Sequence, residues 1–174
     1  MTLALAVDNR ALASTTGITL NGGNITLTNT TATEAGYDRV SNANITANGG
    51  TFTWTNTAAS GRVYAETIGS VGLNRGQTNF ALTTNQGSGG GNVQTLTLGT
   101  SGTGLTRTGA TNTSAVSFGS ASGLNTTTNI IQVFGATGTG SGSGQIIGPW
   151  AFYGTTPASP KVTWTMIGDQ MLGR

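Results

Sequence analysis

Five carboxylates carry all the acid chemistry open to this 174-residue chain: Asp8, Glu34, Asp38, Glu66 and Asp169. Glu34 and Glu66 are 32 residues apart, and Asp38 lies 28 before Glu66. A chain that returns on itself with a period near that spacing would make them neighbours. Paired carboxylates hydrolyse glycosides, and acidic clusters hold Ca²⁺ in polysaccharide lyases. The plainer expectation is solvated loop charges, partnered across neighbouring passes by Arg39 and Arg62. The chain has no His and no Cys. That excludes Ser–His and Cys–His nucleophiles, the usual zinc sites and disulfides. We therefore expect no catalytic, cofactor-binding or metal-binding residue, and no enzyme.

Other chemistry-bearing patterns fall short of a site. Gly138, Gly140, Gly142 and Gly144 alternate, so the third Gly of a G-x-G-x-x-G loop would fall on Ser143, and no Lys follows. The Gly runs contain no Asp, so the Ca²⁺-binding nonapeptide is missing. The seven basic residues are Arg10, Arg39, Arg62, Arg75, Arg107, Lys161 and Arg174, spread along the chain for a net charge of +2. No concentrated basic footprint forms, which argues against nucleic acid. Trp54, Trp150 and Trp164, with Tyr37, Tyr64 and Tyr153, would stack on sugars if exposed. The pattern described below puts Trp54 inside and leaves Trp150, Phe152 and Tyr153 undecided.

The elements that position these residues read as strands. Only 7% of residues are charged, against about 25% in ordinary domains. Low net charge with abundant Thr, Val and Ile argues against disorder. Thr51-Phe52-Thr53-Trp54-Thr55, Asn79 to Thr83, Thr95 to Leu98 and Ile130 to Phe134 are β-branched or aromatic-rich, and Asn-Gly and Gly runs separate them.

A repeat of about 26 residues organises the strands. Leu20, Ala47, Leu73, Leu98 and Leu124 follow one another at steps of 27, 26, 25 and 26. Seven residues after each stand Leu27, Trp54, Phe80, Leu105 and Ile131. The first two copies read ITLNGGNITLTNT and ITANGGTFTWTNT. A constant period predicts an all-β fold, a single-stranded parallel β-helix (solenoid) of five to six coils. Leu20/Leu27, Leu73/Phe80 and Leu124/Ile131 would flank a corner and point inward. A looser inward set is Tyr37 and Val40, Val63 and Ile68, Val93, Val116 and Phe118, then Ile146. Asn21, Asn48, Asn74 and Asn125, with Gly99 in the fourth copy, fall at one corner, where stacked amides can bond along the ladder. Outward, Thr26/Thr28 lie beside Thr53/Thr55. The next pairs are Asn79/Ala81, Gly104/Thr106 and Ile130/Gln132, so a Thr ladder of the ice-binding kind ends after two coils.

The β-helix segment is expected over residues 1–159, with a non-repeat tail or end over 160–174. Neither end offers an amphipathic capping helix, which predicts a fragment that continues end to end into further coils. The start MTLALAV is too short for a signal peptide and lacks a basic flank. No stretch reaches 18 apolar residues, so this segment inserts no helix into a membrane.

Residues 21–28 and 48–55, Asn-Gly-Gly-Asn-Ile-Thr-Leu-Thr and Asn-Gly-Gly-Thr-Phe-Thr-Trp-Thr, resemble the strand motif of autotransporter-associated β-strand repeat proteins. The likeness covers about residues 15 to 156. These are large bacterial surface or secreted proteins. The resemblance implies a right-handed parallel β-helix passenger, an extracellular or outer-membrane location, and a stalk or adhesin role with glycan or host-surface partners. It brings no catalytic residues. The other classes are a carbohydrate-active lyase or hydrolase using Glu34, Asp38 and Glu66, and a glycan- or ice-binding module.

Overall fold

The computed structural model describes residues 1–6, 11–12, 14–58, 61–84, 91–102, 104–107, 113–120, 128–135, 150–154, 165–167 and 170–172. The strands are β1 (Thr2–Ala6), β2 (Gly17–Leu20), β3 (Asn24–Asn29), β4 (Asn44–Ala47), β5 (Gly50–Asn56), β6 (Val63–Ile68), β7 (Val71–Leu73) and β8 (Gly76–Thr84). They continue with β9 (Val93–Leu98), β10 (Leu105–Arg107), β11 (Ser114–Ser120), β12 (Asn129–Val133), β13 (Ala151–Gly154), β14 (Thr165–Ile167) and β15 (Gln170–Leu172). A short 3-10 helix spans Ala32–Gly36.

The fold is all-β, in three open sheets. The first runs β1-β3-β5-β8-β11-β13, the second β2-β4-β7-β10, and the third β6-β9-β12-β15-β14. Among the described residues, every pairing is parallel except those of β15 with β12 and β14. From β4 onward the chain visits the second, first and third sheets in that order, three times in succession. Parallel neighbours need a crossover, and here the crossover is made of strands of the other two sheets.

Period-two alternation fills the interior with matched residues. The second sheet stacks Leu20 on Ala47 on Leu73, and Ile18 on Ile45 on Val71 on Leu105. The first stacks Leu5, Leu27, Trp54 and Leu82, and beside them Ile25, Phe52, Phe80 and Phe118. Adjacent rings of the three Phe are 5.8 Å apart, within the range of favourable aromatic pairs. The third stacks Ile68, Leu98 and Val133. Nearly all these side chains are buried, and each fully buried large one contributes about 1.5–3 kcal/mol.

The expected register holds for the first rounds and then departs. Leu20–Ala47–Leu73 and Leu27–Trp54 stack as the repeat predicts. Phe80, however, lies on Phe52, and Leu82 takes the place beside Trp54. Leu98 belongs to the third sheet, against Ile68 and Val133; Leu105 lies on Val71, and Ile131 on Leu96. The path between columns lengthens along the chain. Phe52 comes five residues after Ala47, but Phe80 comes seven after Leu73, because Gly50 pairs with Thr78 rather than with Gly76, the first residue of β8. Two residues separate β6 from β7, but six separate β9 from β10 and β10 from β11. The round from Leu73 to its partner Arg107 takes 34 residues, against 26 from Ala47 to Leu73. Leu124 and Ile146 lie outside the described residues.

The looser inward set also needs correction. Val40, Ile68, Val116 and Phe118 are buried, but Val63 is 62% exposed, and Tyr64 points inward instead. Tyr37 and Val93 are half-buried. In the tail, β14 and β15 form an antiparallel hairpin that lies along β12 and continues the third sheet.

The Asn-Gly corners set the path of the first rounds. Gly49 and Gly50 adopt φ of 81° and 123°. A Cβ on Gly50 would meet the Gly23 carbonyl oxygen, so both the dihedral and the close approach require glycine.

Candidate functional site

Chemistry-bearing side chains gather where the first sheet gives way to the third. Glu66 lies on the inward face of β6, two residues from Tyr64 and two from Ile68. Arg39 follows the 3-10 helix. Both are buried, at 1% and 0% exposure. Arg39 Nε donates to Glu66 Oε1 at 2.8 Å. Its Nη1 donates to the carbonyls of Thr28 and Leu5, and its Nη2 to Asn29 Oδ1. Glu66 Oε2 accepts the backbone N–H groups of Arg39 and Val40. Asn29 Oδ1 also accepts Trp54 Nε1 at 2.6 Å. One guanidinium thus ties together β1, β3 and β6.

Burial pushes the Glu66 carboxyl up to about 7, against the charge and hydrogen bond of Arg39 and the Val40 N–H, with the Asp38 charge adding to the rise. Burial also raises the Tyr64 phenol, helped by the Glu34 charge and opposed by Arg62. The Tyr64 hydroxyl donates to the Thr31 carbonyl.

The other two acids have backbone partners. Glu34 is 2% exposed. Its Oε2 accepts the N–H groups of Thr30 and Thr31 at 2.6 and 2.7 Å, at the start of the 3-10 helix, while Oε1 is buried without a partner. Asp38 Oδ1 accepts from Ser41 N–H and Thr67 N–H. That bond braces the turn in which Ser41 and Asn42 take left-handed φ of 50° and 65°.

The fold therefore brings Asp38 and Glu66 into one neighbourhood, Asp38 half-buried and Glu66 in the interior. Arg39 is the partner of Glu66, and the pair is interior. Glu34 is buried as well; Asp8 and Asp169 lie outside the described residues. Among the described residues, no three acidic, His or Cys side chains converge as a metal site.

The sequence reading missed a set of buried amides. Asn29, Asn56, Asn92, Gln94 and Asn129 are all within 1% of full burial. Gln94 Nε2 donates to the Trp54 carbonyl, and Asn92 Nδ2 to the Ala58 carbonyl. Tyr64, Gln94 and Asn129 stack in one column of the third sheet. A signal was present: Asn29 and Asn56 are the same letter of the two closest repeats, at an inward position.

On the outside, the Asn corner forms as expected over three rungs. Asn48 Nδ2 donates to Asn21 Oδ1, and Asn74 Nδ2 to Asn48 Oδ1, both at 2.7 Å. Gly99 is not part of this corner, since it follows β9 in the third sheet, and Asn125 lies outside the described residues. The Thr face is one rung longer than expected. Thr28, Thr55 and Thr83 stack, while Thr26 and Thr53 are followed by Ala81. Trp54 is core, 1% exposed. Trp150 is half-buried beneath the Arg107 guanidinium, 5.5 Å from its ring. Phe152 is half-buried too.

A cleft of about 230 Å³ opens at the β1–β2 end. Apolar side chains line it, including Leu3, Ile18, Leu20 and Ile25; none of the three acids does. Among the described residues, no helix is long and apolar enough to cross a membrane. Comparison with protein-family models, with curated proteins and with solved structures finds no match.

Proposed function

We propose that the three sheets are the faces of one right-handed, single-stranded parallel β-helix. On this reading the chain is a non-catalytic segment of a bacterial secreted or surface protein, a stalk or adhesin-type passenger continued end to end by further coils. The observation that carries the proposal is the strand order. Three successive rounds serve the sheets in one sequence, and like residues stack from round to round. Parallel crossovers are right-handed in about 98% of cases. The uncharged outward faces of Thr, Asn and Ser suit a spacer that stays soluble through hydroxyls and amides.

A stalk needs rigidity and resistance to cleavage rather than a cleft with free carboxylates. Glu34, Asp38 and Glu66 have structural partners, which counts against the lyase or hydrolase reading. The test is display. Joined to an export signal and an outer-membrane translocator, the chain should reach the cell surface and resist external protease while folded. Retention inside the cell, or prompt degradation at the surface, would overturn the proposal.

A second reading, a glycan- or water-ordering face, is favoured by the Thr28–Thr55–Thr83 column. It expects glycan binding or inhibition of ice recrystallisation that Thr55→Lys removes. No such activity in the parent chain would dismiss it.

A further inference from the structure

We propose that Asn48–Gly49 is a site of spontaneous amide loss that the Asn ladder holds shut, and that converts to an aspartyl or isoaspartyl link when the rounds beside it part. Asn-Gly occurs twice in the chain, at 21–22 and 48–49. Both fall at the corner between the second and first sheets. In such a dipeptide the glycine N attacks the Asn Cγ. Glycine has no side chain to hinder the approach and reaches dihedrals that other residues avoid. The Gly49 N–H gives its proton to hydroxide, and the new N–Cγ bond closes a five-membered imide. The Cγ–Nδ2 bond breaks, and Nδ2 takes a proton from water and leaves as ammonia. Water then opens the ring at either carbonyl. One opening gives aspartate, the other an isoaspartyl link whose main chain runs through the side chain. In sum one water is consumed and one ammonia released, with no change of oxidation state.

The ladder controls the first step. Attack needs N and Cγ about 3–3.5 Å apart and aligned. The Asn48 side chain is tied at both ends: Nδ2 donates to Asn21 Oδ1, and Oδ1 accepts from Asn74 Nδ2, each at 2.7 Å. Turning its Cγ onto the next peptide group breaks both bonds, and the leaving nitrogen is itself a ladder donor. Asn48 is half-buried and Gly49 buried, which also limits the reach of hydroxide.

The products do not fit the corner. An isoaspartyl link lengthens the main chain by one carbon. The Asn48 N–H is fixed to the Leu20 carbonyl at 2.7 Å, and the Thr51 N–H to the Gly23 carbonyl at 3.0 Å. Between them, even a Cβ on Gly49 would lie 3.3 Å from the Gln77 carbonyl oxygen. An added carbon there puts β5 out of step with β3. Aspartate instead removes the donor to Asn21 and sets a charge in a neutral ladder. Either product leaves a lasting record that the stack has opened. The inference rests on the corner alone, so it and the surface-protein reading can fail separately.

The experiment incubates the full chain in mildly alkaline buffer. After digestion, chromatography and mass spectrometry resolve the fragment bearing residue 48 into amide, aspartyl and isoaspartyl forms. The reference is a synthetic peptide copying residues 45–52, Ile-Thr-Ala-Asn-Gly-Gly-Thr-Phe. The folded chain should convert at Asn48 about tenfold or more slowly than the peptide, and the urea-unfolded chain at the peptide's rate. Asn21→Ala frees the Nδ2 end and Asn74→Ala the Oδ1 end. Each should speed conversion by about threefold or more, with the fold retained by circular dichroism. Ile68→Val weakens the core of the third sheet but leaves the ladder intact, and should not. Conversion of the folded parent at the peptide's rate would overturn the proposal. So would equal acceleration by Ile68→Val and the ladder variants, or no acceleration by either ladder variant.

Discussion

Arg39 shows how one residue can serve as a joint. Its guanidinium meets Glu66, Asn29 and two carbonyls in a dry interior, so the charge is matched where it cannot be hydrated. Replacing it by Met leaves Glu66 buried and unpaired, and urea unfolding at pH 8 should show a loss of about 3–5 kcal/mol. The Glu66 carboxyl adds a pH dependence. Its folded value, near 7, lies above the ordinary 4.5, so the folded chain binds this proton more tightly than the unfolded one. Its contribution is complete below pH 4.5 and is lost as the pH rises through 7, by up to about 3 kcal/mol. The urea midpoint should therefore fall between pH 5 and pH 8, and Glu66→Gln should flatten that slope. On the surface, Asn48→Ala breaks two amide bonds of the ladder and Asn21→Ala one. Thermal unfolding should rank them in that order, each bond contributing about 0.5–1 kcal/mol. At this scale the sequence placed Trp54 inside and paired Arg39 with a cross-round acid. It misjudged burial, for a reason of parity. Val63 and Ile68 cannot share a face of one strand, because side chains alternate. Ile68 carries the larger apolar group, so Tyr64 and Glu66 go inward with it.

Elements are held by columns, and the columns explain which register errors were open to a reader. Setting Phe80 rather than Leu82 beside Trp54 is a slip of two residues. Such a slip keeps every side chain on its own face, so apolar pattern cannot detect it, whereas a slip of one would have been obvious. The β9–β10 and β10–β11 connectors were illegible for another reason. Gly, Ser and Thr fix no path length, so six residues there look like two elsewhere. Where the column was read correctly, substitution should show it. Leu73→Asp puts an unpaired charge into a stack that is fully buried, and should cost about 4 kcal/mol or more, or abolish the cooperative thermal transition. Thr46→Asp, on the exposed face of the adjoining rung β4, should change stability by no more than about 0.5 kcal/mol.

For the whole molecule, the two ends differ. The hairpin lies along β12 with β15 antiparallel to it, so the third sheet ends there in the three-residue strand β14, and a short edge strand offers little for another chain to pair with. Removing residues 155–174 should expose the β12 edge, and light scattering should then report association that the full chain does not show. The uniform order of the strands also has a mechanical meaning. Rounds are joined to one another by backbone bonds that lie along the stacking direction, while the covalent chain runs across it. A pull on the two termini therefore loads one inter-round seam at a time, and each seam that opens frees a whole round of chain. Between the partners Leu27 and Trp54 that is 27 residues, and between Phe80 and Phe118 it is 38. At about 3.5 Å per extended residue, a force–extension trace should climb in unequal steps of roughly 90 to 130 Å, the later rounds giving the longer ones.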